Sequence, residues 1–139
     1  MTQPSEFPDN SSAIAIIGMA GRFPGARDLD ELWRVIVEGR DTISRFTPEE
    51  CDAGDPDIEA VSRADNYVRA RGVLEGIQEF DAEFFNFTPA EAAATDPQHR
   101  LWLEVAWEAL EAAGYARDGH GQVIAVFAGC FANTYLLHN

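Results

Sequence analysis

The sequence predicts an α/β fold, and three observations lead there. Residues 13–17 (AIAII) and 122–128 (QVIAVFA) are continuous apolar runs, the pattern of strands buried on both faces. Between them, residues 29–37 and 97–113 repeat their apolar side chains at helical spacing and carry helix start and stop signals. Apolar residues make up 46% of the 139 residues, enough for a core, and the length suits a single domain.

Taken in order, residues 1–12 read as a flexible leader. They are polar, carry Pro4 and Pro8, and lack the basic start and apolar stretch of a secretory signal. Strand 13–17 stops at Gly18, and Gly18, Gly21, Pro24 and Gly25 mark a turning loop. A helix follows. Asp28 is its N-cap with Glu31 three residues on, and Leu29, Leu32, Trp33, Ile36 and Val37 form one apolar stripe. Gly39 is placed to end it in the left-handed conformation.

Thr47-Pro48-Glu49-Glu50 predicts a one-turn helix start with Pro48 at the first helical position. Residues 51–65 are acidic and short of large apolar side chains, so they read as surface loop. Residues 67–74 give short extended pieces, broken at Gly72 and Gly76. Four phenylalanines then fall within residues 80–87.

Thr88-Pro89-Ala90-Glu91 is a full capping-box pattern, and Asp96-Pro97 starts a second helix eight residues later. The expectation is a short helix, a kink near Asp96, and a long helix 97–113 stopped by Gly114. The long helix is apolar over far more than the roughly 100° face of a surface helix. It therefore needs cover on two sides, from a large domain or from a partner subunit. Residues 122–128 form the second buried strand, with a loop at Gly129.

Charge narrows the function classes. Acidic residues number 24 against 10 basic ones, all arginine, for a net charge of −14. Nucleic acid and anionic membrane both need a cationic face, so neither is an expected partner. No apolar run reaches the roughly 18 residues of a membrane span. Two cysteines, Cys51 and Cys130, are too few for a disulfide scaffold, and a soluble, cytoplasmic chain is expected. Half the arginines lie at positions 22–45, where five acids balance them, the least repulsive surface for an acidic partner.

No set of residues here assembles a catalytic site by spacing alone. A dinucleotide site needs G-x-G-x-x-G after the first strand, but Ala20 stands where the second glycine belongs. Cys130 follows a strand at a glycine, where nucleophiles occur, with His99 and His138 as candidate bases. A small buried thiol is the commoner fate of such a cysteine. His99, His120 and His138 lack metal-site spacing and there is no Cys-x-x-Cys, so no metal is expected. Glu104, Glu108 and Glu111 form an acidic strip that reads as a solvated face.

Whole segments nevertheless carry a resemblance. They are IAIIGMAGRFPGA (14–26), DLDELWRVIVEGRDTI (28–43), EFDAEFFNFTPAEAAATDPQHRLWLEVAWEALEAAGY (79–115) and VFAGCFANTYLL (126–137). In this order and spacing, residues 13–139 resemble the N-terminal portion of the β-ketoacyl synthases, in particular the ketosynthase domains of modular type I polyketide synthases. The D-P-Q-x-R helix start with its L-E-V-A-W-E-A-L continuation is the most specific piece.

The resemblance implies a thiolase-like fold, layered αβαβα in an obligate homodimer, of which this chain is the N-terminal portion. It implies an acyltransferase that performs decarboxylative Claisen condensation of an acyl thioester with a malonyl-type extender. The partners implied are an acyl carrier protein, whose phosphopantetheine bears the substrate, and the remaining polyketide synthase domains; no cofactor is bound directly. Such chemistry needs a thiolate at a helix N-terminus and two histidines that polarise the thioester carbonyl.

In the family the nucleophile lies in a D-T-A-C-S-S-like elbow tens of residues beyond the match to Asn133-Thr134-Tyr135, with both histidines later. The nucleophilic cysteine and the two histidines are thus expected to lie beyond Asn139, and the chain to stop before its catalytic residues. Cys130 matches a position usually held by another small residue. Phe131, Asn133 and Tyr135 are the implied pocket and dimer-contact candidates. Asp96 and Arg100 match the helix signature, with a structural role as cap and ion pair. Two rival functions are a non-catalytic dimerisation module derived from this fold and a small nucleotide-binding enzyme.

Overall fold

A computed structural model describes residues 13–51, 61, 63–116, 121, 123–130 and 135. Their elements, in chain order, are α1 (Leu29–Glu38), β1 (Ile43–Arg45), α2 (Pro48–Cys51), β2 (Ala70–Gly72), α3 (Pro89–Ala94) and α4 (Pro97–Ala112). The leader 1–12 and residues 52–60 and 62 of the acidic loop lie outside the described residues.

Local signals set each helix. The Asp28 carboxylate accepts from Glu31 N at 2.7 Å and starts α1. Glu31 reaches back one residue further than a capping box would, to Arg27 N at 2.8 Å. Gly39, at φ 62°, donates to Ile36 O, and Arg40 N donates to Val35 O, which closes the last turn. Thr47 and Glu50 exchange hydrogen bonds across the start of α2. Thr88 and Glu91 form the complete box at α3, and Asp96 Oδ1 caps α4 through Gln98 N at 2.8 Å. Gly114 (φ 78°) and Tyr115 return their N–H groups to Glu111 O and Leu110 O, so α4 ends where its glycine predicts.

The sheet differs from expectation. The one described ladder is antiparallel, β1 with β2, in the register Ile43↔Gly72, Ser44↔Arg71 and Arg45↔Ala70. Gly72 permits the close approach of Pro24, whose Cγ would lie 2.7 Å from a Cβ there. Pro24-Gly25 makes a tight turn, with Gly25 at φ 71° and Phe23 and Ala26 exchanging backbone hydrogen bonds.

The two apolar runs are not buried strands among the described residues. Ile14 is 95% exposed and Phe127 is 94% exposed, and neither run joins a ladder. Burying both faces of a strand needs a layer packed about 10 Å away on each side of it, and no described segment supplies one. The α1 stripe is corrected in the same way. Val35 is the buried residue, Leu29 and Leu32 are half-buried, and Trp33, Ile36 and Val37 stand exposed because no described element covers them.

The buried residues among those described are few: Ala26, Val35 and Ala92 with the polar Asp96 and Arg100. The four phenylalanines of residues 80–87 form an aromatic cluster. Phe80 stacks on Phe85 at 5.3 Å and meets Phe87 edge-on, and Phe84 meets Trp107 of α4 edge-on at 5.0 Å. The wide apolar surface of α4 is left half-covered, with no apolar residue of the helix buried.

Candidate functional site

The glycine loop is pinned to α4 rather than open to a phosphate. Gly18 lies on the helix backbone, where a Cβ would sit 2.9 Å from the Ala113 Cβ. The space beside Gly21 is filled by the Phe23 ring. Arg22 Nη1 donates to Glu108 Oε2 at 2.7 Å, and its Nη2 donates to Glu108 Oε1, a two-pronged pair across 86 positions of sequence. The same Nη1 donates to Arg27 O at 3.2 Å. This pairing raises the Arg22 pKa above its ordinary value and lowers that of the Glu108 carboxyl.

Above that ion pair lies a groove of about 810 Å³. Phe84, Phe85 and Trp107 line it, with Glu75, Glu79 and Glu111 among its acids. The strip Glu104, Glu108 and Glu111 is therefore a groove wall, with Glu108 committed to Arg22, rather than a wholly solvated face. Arg22 is the residue that sequence reasoning missed. An acid within an apolar helix face hints at a buried partner, but nothing in the spacing names that partner.

A second cavity, about 450 Å³ and mostly apolar, lies between the start of α4 and residues 128–130. Phe87, Trp102 and Leu103 line it together with His99 and Cys130, so the structure brings into one space a thiol and an imidazole that lie 31 positions apart. Both residues are exposed, and no hydrogen bond joins them among the described residues. Proximity to a cavity does not make a nucleophile without a base in contact.

Of the candidates implied by the resemblance, Phe131 and Asn133 lie outside the described residues, as does Asn139, the position beyond which the nucleophile and both histidines are expected. The Tyr135 hydroxyl donates to Ala93 O of α3 at 2.8 Å. Asp96 is buried and spends its carboxylate on Gln98, through the backbone N–H and the side-chain amide. Arg100 is buried one turn on, and its Nε has no hydrogen-bond partner among the described residues. The ion pairs among the described residues are Arg22–Glu108, Arg27–Glu31 and Arg40–Glu38, so an Asp96–Arg100 pair is not one of them. No group of three or more His, Cys, Asp or Glu among the described residues is placed to hold a metal ion.

Comparison with known proteins gives this geometry a context. Residues 11–139 match the family described as "Beta-ketoacyl synthase, N-terminal domain". The chain is 45% identical over 131 residues to polyketide synthase ThaG of Burkholderia thailandensis, covering 92% of this chain and 2% of that protein. It is 46% identical over 125 residues to the pikromycin polyketide synthase component PikAII of Streptomyces venezuelae, covering 84% of this chain and 3% of that one. The solved oxazolomycin ketosynthase domain OzmH KS7 of Streptomyces albus superposes with a TM-score of 0.58 at 40% identity, covering 71% of this chain and 17% of that chain. The fold is thus the N-terminal portion of the thiolase-like fold of ketosynthase domains, and the chain spans a small fraction of the relatives it matches.

Proposed function

The chain belongs to the β-ketoacyl synthase family, and from that premise we propose that it forms the N-terminal portion of a polyketide-type ketosynthase. The activity of such an enzyme is acyl transfer followed by decarboxylative Claisen condensation with a malonyl-type unit. The acyl and extender groups arrive on the phosphopantetheine of an acyl carrier protein, and the ketosynthase works as a homodimer among other synthase domains in the cytoplasm. Among the described residues no helix is long and apolar enough to cross a membrane. The observation that carries this reading is the family match over residues 11–139, joined to 45% and 46% identity with two polyketide synthases.

In this reading the chain contributes architecture. The α3–α4 pair, capped at Thr88 and Asp96, accepts the Tyr135 hydroxyl at Ala93 O. In this reading neither Cys51 nor Cys130 is the nucleophile, and this stretch by itself is catalytically silent.

Two measurements test this. The chain is incubated with an acyl thioester and its intact mass is read. No adduct is expected on Cys51 or Cys130, and stoichiometric acylation of Cys130 overturns the assignment of silence. Residues 11–139 are then exchanged for the matching segment of the oxazolomycin ketosynthase domain. The hybrid is expected to form its acyl-enzyme and condense at a rate comparable with the parent. A hybrid that dimerises but never condenses favours the dimerisation module instead.

A further inference from the structure

We draw no further inference here: the strongest candidate, the acid-rimmed groove over Phe84, Phe85 and Trp107 between the glycine loop and α4, is an acidic cluster beside an apolar floor, and nothing in the structure shows what covers it.

Discussion

Two regions of this chain are both rich in apolar residues and opposite in outcome. Residues 80–114 form two capped helices with four phenylalanines packed among themselves and against Trp107. Residues 13–17 and 123–127 are apolar at every position, denser than the helical region, yet Ile14, Ile16, Val126 and Phe127 all lie in the open. The difference lies in where the hydrogen bonds come from. A helix closes its backbone bonds within itself and needs only caps at its ends, which Thr88, Asp96 and Gly114 supply locally. A strand depends on a neighbour whose position in sequence is unconstrained. The superposition on a solved ketosynthase domain covers 17% of that chain.

If the helical region stands on its own contacts, its substitutions cost most. Trp107→Ala removes the edge-on partner of Phe84. A loss of about 2–3 kcal/mol is expected in urea unfolding followed by far-ultraviolet circular dichroism, below the cost at a fully buried aromatic because Trp107 is half-buried. A loss under about 0.5 kcal/mol would erase the distinction between the two regions. Asp96→Ala comes next. It frees Gln98 N at a buried helix start, and a cost of about 1–2 kcal/mol is expected, with Asp96→Asn recovering most of it.

The clamp between the glycine loop and α4 is worth less. A double-mutant cycle on Arg22→Met and Glu108→Gln is expected to give a coupling of about 0.5–1 kcal/mol, since 41% of the Glu108 side chain remains exposed and screened. Its pH dependence has a definite sign. The Arg22 guanidinium holds the Glu108 carboxyl below its usual 4.5, and the Thr88 N–H and hydroxyl do the same for Glu91. Carboxylates with lowered native values support the fold while ionised, fully so above about 4.5. That support is lost as the pH falls through the lowered values. The unfolding midpoint should therefore drop below pH 4.5 in the parent, and drop less steeply in Glu108→Gln.

How much was legible follows the same division. The capping boxes, the glycine stops and the break between α3 and α4 could be read from the sequence because each lies within about one helical turn of its partners. The helix signature and the segment order carried the family. β1 escaped because three residues with no strong alternation become a strand only by pairing with Ala70–Gly72. The Arg22–Glu108 pair and the shared cavity of His99 and Cys130 join distant positions, which no spacing rule reaches. The exposed face of α1 was misjudged because periodicity shows that a face is apolar without showing what covers it.

The smallest expected effect is the most diagnostic. Ile16→Ser and Phe127→Ser act at side chains 78% and 94% exposed, so each should change the unfolding free energy of the chain by no more than about 0.5 kcal/mol. Were these runs buried strands, each change would strip a core residue and cost several times as much. Their effect should instead fall on association. Uncovered apolar surface draws a hydrophobic dye and favours contact between copies, so the unmodified chain is expected to self-associate. The paired serine substitutions should lower both dye binding and the sedimentation-derived mass. A chain that is monomeric and dye-silent before substitution would mean that these faces are already covered, and the contrast between the two regions would fail at its root.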